Sequence, residues 1–173
     1  MQYVVNALLL VGTFLLMEAV AWAAHKYIMH GWGWSWHRSH HESRRGWFEK
    51  NDLYAVVGAA TAIVLIYLGA DDYGPTYWIG FGMTAYGAAY FLFHDGLVHQ
   101  RWPFRYRPRS GYLKRLVQAH KLHHAVHEKH GAVSFGFLYA RPLSALKQEL
   151  RRKRDKQRDA AHPRDDPHSS NRA

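Results

Sequence analysis

Three observations predict an all-α fold for this chain, a bundle of helices that cross a membrane. Apolar runs occupy residues 3–24, 53–70 and 76–93. Ten of the fourteen histidines fall in four clusters, two spelled His-x4-His and two His-x2-His-His. The basic residues gather in the segments that hold those clusters.

The first run, Tyr3 to Ala24, is broken only by Asn6 and a single acid, Glu18. About 20 apolar residues in a helix cross a hydrocarbon core about 30 Å thick. A cleaved signal peptide fits poorly, because no basic segment precedes the run and it is too long for a signal's apolar stretch. Glu18 lies two helical turns before His25 and so on the same face. A carboxylate inside a span points into the protein and has a partner there. The partner is either the histidine region, which Glu18 would then support, or another polar group such as Asn6 or a tyrosine. The second run, Leu53 to Ala70, is rich in small residues, and Asp71-Asp72-Tyr73-Gly74-Pro75 is a turn. The third run carries Gly80, Thr84 and Ala88 at four-residue spacing, a pattern that lets a neighbouring helix come close.

The clusters are His25/His30, His37/His40/His41, His94/His99 and His120/His123/His124. Positions i, i+3 and i+4 share a helix face within an arc of roughly 100°. One helix can thus offer several imidazoles to one metal site. One such pair is ordinarily a surface or hydrogen-bonded core feature, but repetition of the whole couplet argues for metal. Positions i and i+5 stand about 140° apart on a regular α-helix. On that geometry His25 and His30 reach different ions of a pair, and so do His94 and His99. Ten ligands exceed what one ion takes and are enough for two.

Composition narrows the class. With 173 residues and no cysteine, disulfides, thiolate sites and cysteine nucleophiles are excluded. The net charge of +10 fits nucleic acid or the inner side of a membrane. The apolar runs decide for the second, and no nucleic-acid partner is expected. Lys26, Arg38, Arg44, Arg45 and Lys50 lie in the first connection and most other cations follow residue 100, while the 71–75 turn has none. The positive-inside bias then puts all four clusters on the cytoplasmic side, in the inner membrane of a bacterium. Trp32, Trp34 and Trp36 suit a membrane–water boundary.

Residues 101–119 read as an interfacial loop leading into a helix that starts before His120 and continues through His127, with Gly131 ending it. His127 and His130 are candidate extra ligands, supports for the ligands or surface residues. The apolar stretch 132–140 is too short to span and is expected beside the site or re-entering the interface. Residues 1–147 form the membrane domain, and 148–173 a basic, largely disordered tail. A surface helix over 143–158 is compatible with that composition.

Neutral imidazole suits Fe, Zn, Cu or Ni rather than Mg or Ca. A dimetal site supplied with electrons can reduce O2 to an oxidant that attacks an unactivated C–H bond. Zinc binds the same ligands without redox chemistry and can replace iron in purified samples. A membrane carrier of metal is the rival of another class, but it would need ligands along its path, where only Glu18 stands.

Four segments, HKYIMH (25–30), WHRSHH (36–41), HDGLVHQRWP (94–103) and HKLHHAVHEKHGAVSFGFL (120–138), resemble the fatty acid hydroxylase superfamily of membrane non-haem di-iron enzymes. Within it they are most similar to the β-carotene hydroxylases. The likeness covers nearly all of 22–140. It implies a helical bundle with a cytoplasmic di-iron centre and O2-dependent hydroxylation of carbon 3 of the β-ionone rings. β-Carotene would become β-cryptoxanthin and then zeaxanthin, with electrons from a ferredoxin-type donor. The ligands carried over are His25, His30, His37, His40, His41, His94, His99, His120, His123 and His124. Glu18, Asp95 and His127 are candidate supports, and Trp22, Trp36, Tyr90, Phe91 and Phe93 candidate walls for a carotenoid beside membrane lipid. A fatty acyl or sterol hydroxylase or desaturase would keep the ligands and change the pocket.

Overall fold

The computed structural model describes residues 1–42, 46–103 and 105–161. Helix α1 (Gln2–Ala23) runs without a break into a π-helical segment, Ala24–Trp32, and α2 (Trp34–His41) follows. Next come α3 (Asp52–Leu68) and α4 (Pro75–Tyr90), which passes into a second π-helical segment, Phe91–Val98. The helices α5 (Gly111–His124) and α6 (Leu143–Ala161) complete the chain, with no strand among the described residues. Arg44 and Arg45, used above to orient the chain, lie outside the described residues.

Helix α4 is the centre of the bundle, packed on α1 and α3. Close approach rests on two glycines. A Cβ at Gly80 would stand 2.6 Å from Ile66 Cγ1 and 2.9 Å from the Ala62 carbonyl of α3. A Cβ at Gly82 would stand 2.6 Å from the Leu10 carbonyl of α1. The Gly80-Thr84-Ala88 pattern is therefore not the interface. Gly80 serves α3 and Gly82 serves α1, while Ala88 is exposed and the Thr84 hydroxyl bonds its own helix at the Gly80 carbonyl.

The bundle is apolar outside and polar within. Val4, Leu8, Leu15 and Leu16 of α1 and Val56, Val57, Ile63 and Val64 of α3 are exposed, while His25, His37 and His123 are among the most deeply buried side chains. One continuous helix, Gln2–Trp32, is long and apolar enough to cross a membrane, and α3 is apolar but shorter.

A compact apolar cluster joins Leu116 and Ala119 of α5, Val133 and Ala140, and Leu146 and Leu150 of α6. The helix that the composition of 143–158 allows is present here and runs on to Ala161. Residues 148–161 continue α6, because Leu146 and Leu150 stand four apart on one face and bury it. Lys153 Nζ donates to the Ala132 carbonyl at 2.7 Å and Arg154 to the Ala125 carbonyl at 3.1 Å. Residues 162–173, with His162 and His168, lie outside the described residues.

Candidate metal centre

The four clusters meet. His25, His30, His37 and His123 bring one nitrogen each within 4.8 Å of one another, and so do His40, His94, His99 and His120. His41 joins the first group, its Nε2 lying 3.2 Å from those of both His37 and His123. His124 joins the second, with its Nε2 2.9 Å from that of His120. The rings of His41 and His124 stack at 4.5 Å where the two groups adjoin.

The helices dictate this division. The first π segment gives His25 and His30 to one group, and the second gives His94 and His99 to the other. In a π-helix the amide of residue i+5 bonds the carbonyl of residue i, so positions five apart are stacked neighbours. The amide of His99 donates to the His94 carbonyl at 2.9 Å. The expectation that each His-x4-His pair splits between two ions assumed α-helical winding and is overturned by it. The couplets do the splitting. His37 and His41, at i and i+4 on α2, serve the first group, and His40 serves the second. His120 and His124 on α5 serve the second, and His123 the first. Each π segment with its following couplet thus supplies four imidazoles to its own group and exchanges one.

The outer ring nitrogens hold the inner ones in place. Nδ1 donates from His25 to the Phe135 carbonyl (2.9 Å), from His30 to Lys129 (2.8 Å), from His41 to Val126 (2.8 Å) and from His123 to Val133 (3.0 Å). Side-chain oxygens do the same for three more: Asn51 for His37 (2.7 Å), Glu49 for His40 (3.0 Å) and Asp95 for His94 (2.8 Å). With the proton on Nδ1, each Nε2 offers only a lone pair. Yet Nε2 atoms face each other at 3.1 Å for His25/His37, 3.2 Å for His30/His123 and 3.1 Å for His40/His94. Facing lone pairs repel, and a cation between them removes the conflict. Nitrogens on one ion with bonds of about 2.1 Å stand roughly 3.0 Å apart at right angles and 3.4 Å apart in a tetrahedron. The residues present therefore fit two metal ions, at the right-angle end of that range.

Burial keeps the rings neutral. It pushes His37 down to about 3, His41 to about 4 and His124 to about 2, with neighbouring imidazoles acting in the same direction. The His40, His120 and His123 rings are lowered well below the usual value for the same reasons. Arg101 anchors the wall beside them. Its guanidinium meets both Asp52 oxygens at 2.8 Å and Asp95 at 3.3 Å, and the Asp52 hydrogen bonds raise its pKa. A cleft of about 380 Å3, lined by His40, His99, His120 and His124 with Glu49 and Lys121, opens the second group to solvent.

The remaining candidates fall as follows. Helix α5 ends at His124, not beyond His127. A helix running to Gly131 would have engaged the Val126 carbonyl that here accepts from His41. His127 is exposed and donates to the His41 carbonyl at 2.9 Å, and His130 is exposed outside both groups. Glu18 touches no histidine. Its carboxylate accepts the Tyr86 hydroxyl at 2.7 Å and the amides of Phe137, Leu138 and Tyr139 at 3.0–3.1 Å. Of the five expected wall aromatics, Tyr90 stacks on His94 at 4.5 Å. Trp22 pairs with Tyr27, Trp36 with Tyr54 and Phe91 with Trp102, all three half exposed, and Phe93 packs on the α5–α6 cluster. Trp34, Phe135 and Phe137 cover the imidazoles instead; Trp34 is expected from sequence at the membrane boundary, and the two phenylalanines only as part of the 132–140 stretch expected beside the site.

The fatty acid hydroxylase family profile matches residues 10–140. A beta-carotene hydroxylase of Pantoea ananas is 61% identical, with 98% of this chain and 99% of that one covered. One from Pseudescherichia vulneris is 57% identical over 94% of this chain and 93% of its own length. A chloroplastic beta-carotene 3-hydroxylase of Haematococcus lacustris is 43% identical over 75% of this chain and 41% of that one. No solved structure matches. With its residues 10–140 matched end to end, and those residues holding all ten imidazoles, the chain belongs to the fatty acid hydroxylase family and is an oxidoreductase, a hydroxylase.

Proposed function

We propose that the chain hydroxylates carbon 3 of the β-ionone rings of β-carotene, giving β-cryptoxanthin and then zeaxanthin. The relatives' activity, at 61% and 57% identity over nearly whole chains, supports that substrate. The observation that carries the chemistry is the pair of five-imidazole groups whose Nε2 atoms converge, seven of the ten rings having their Nδ1 protons held outward. His25, His30, His37, His41 and His123 would hold one iron, and His40, His94, His99, His120 and His124 the other. Bound there, the irons supply the redox chemistry by which one atom of O2 enters a C–H bond and the other leaves as water, with two electrons and two protons consumed.

The chain's own residues do the rest. Carbonyls 126–135 with Asn51, Glu49 and Asp95 fix the tautomer and aim of seven of the ten rings. Arg101 holds Asp95 and thereby His94. The cleft at His99, His120 and His124 gives protons and a ferredoxin-type donor a polar approach. The exposed apolar faces of α1 and α3 and the cations at the histidine end support a bundle in a bacterial inner membrane, with the metals on the cytoplasmic side. Expression in a cell that accumulates β-carotene tests this. Wild type should convert it to 3-hydroxylated pigments, and His123→Ala should not. Unchanged β-carotene in the wild type would refute the substrate.

A further inference from the structure

Glu18 has a position that ligand supply does not explain. It lies seven residues before His25 on a helix that is apolar along its length. At 1.5 Å per residue this is about 10 Å further along α1, away from the metals. The segment it binds, Phe137–Tyr139, is not helical. A loop reaching that far up an apolar helix sits at the depth of the apolar layer. Bare amides are tolerated there only when protein satisfies them. Glu18 does so: its carboxylate accepts three successive loop amides and is itself held by the Tyr86 hydroxyl donated from α4.

The loop so held lies against both groups. The Phe137 ring stacks on His25 of the first at 4.9 Å and 15°, and meets His94 of the second edge-on at 5.3 Å. It also packs on Tyr90, itself stacked on His94. Phe135 covers His25, His30 and His123. None of the rings under this aromatic cover, His25, His30, His94 and His123, lines the polar cleft.

We propose that the loop Phe135–Tyr139 is the substrate-facing wall of the dimetal site. Phe137 is its specificity-determining residue, fixing which ring carbon of an apolar polyene is presented, and Glu18 is the positioning residue that moors it. This rests on the carotenoid reading above and adds the residues that select the carbon. One methylene more or less in an apolar pocket shifts selectivity about 10- to 200-fold, and Phe137→Leu or Phe137→Ala removes more than that.

The test compares full-length wild type, Phe137→Leu, Phe137→Ala, Glu18→Ala and Glu18→Gln in β-carotene-accumulating cells. Products are resolved by position and number of hydroxyls, and iron per chain is measured on the purified proteins. Expected is iron content near wild type in both Phe137 variants, with at least a tenfold change in the ratio of 3-hydroxylated to other products, or of singly to doubly hydroxylated ones. Glu18→Ala should shift products the same way. Glu18→Gln, which keeps one acceptor for the amides, should restore the wild-type pattern. Wild-type product ratios in both Phe137 variants overturn the proposal, and so does iron lost in proportion to activity in both, which would make Phe137 merely structural. A wild type that leaves β-carotene untouched fails on the substrate reading, independently of any difference among variants, and takes this inference with it.

Discussion

The hydrogen bond from His37 to Asn51 offers a measure of what holds the metal centre. Asn51 is 5% exposed, and its Oδ1 accepts the His37 Nδ1 proton at 2.7 Å. Asn51→Ala leaves that N–H buried without a partner and the ring free to turn or change tautomer. An unsatisfied buried donor costs about 1–3 kcal/mol. With each 1.4 kcal/mol worth tenfold, this predicts about 5- to 150-fold weaker metal binding, in line with the 10- to 100-fold found when such outer partners are lost. The assay is competition for iron against a chelator on the purified chain, with bound metal counted after desalting. Asn51→Asp keeps the acceptor, adds a charge that makes His37 more basic, and should bind at least as tightly. Asn6→Ala is the control. Asn6 is also buried polar, but it pairs with Gln2 near the start of α1, and its loss should leave iron binding unchanged. Affinity within twofold of wild type in Asn51→Ala would refute the reasoning that outer hydrogen bonds aim the imidazoles.

Three further outcomes follow from the same structure. The folded chain holds His37, His41 and His124 at about 3, 4 and 2, below the 6.5 of a free ring, so the unfolded chain binds more protons between those values and 6.5. Stability of the metal-stripped protein is therefore full above pH 6.5 and falls as the pH drops, by about 1.4 kcal/mol per ring at pH 5.5. Thermal melts in detergent between pH 7.5 and 5.5 check this, and a flat profile contradicts it. Leu146 is fully buried where α6 docks, so Leu146→Ala should destabilise by about 2–5 kcal/mol. Ending the chain at residue 147 removes Leu150, Lys153 and Arg154 and should weaken iron retention through the 125–135 loop. An unchanged melting temperature in both would show that α6 is not part of the fold.

What could be read in advance was local and periodic. The apolar runs give α1, α3 and α4 because burial or lipid contact requires an uninterrupted apolar helix. The couplet His-x2-His-His gives imidazoles on one face because the α-helix fixes that geometry over four residues. Spacing also picked out the ten clustered histidines that the structure brings together, and adjacency put Asp95 beside His94.

What the sequence left open depends on long-range pairing. Winding at the two His-x4-His segments is π rather than α, and no residue there announces it. The convergence of ten nitrogens from four segments selects it, by placing residues five apart on one line. Four of the seven outer acceptors are backbone carbonyls, at Val126, Lys129, Val133 and Phe135, and a carbonyl has no letter in the sequence. They are free to accept because α5 stops at His124, and it stops where the loop is held by α6 and Glu18. The composition of residues 143–158 allows a surface helix but does not show that Leu146 and Leu150 bury against α5. By itself the sequence determined which groups can bind metal and which stretches avoid water, because both follow from side chains and helical period. Only the tertiary structure decided how the imidazoles divide between two groups and which aromatics stand over them, because that depends on atoms more than eighty residues apart coming within 3.2 Å.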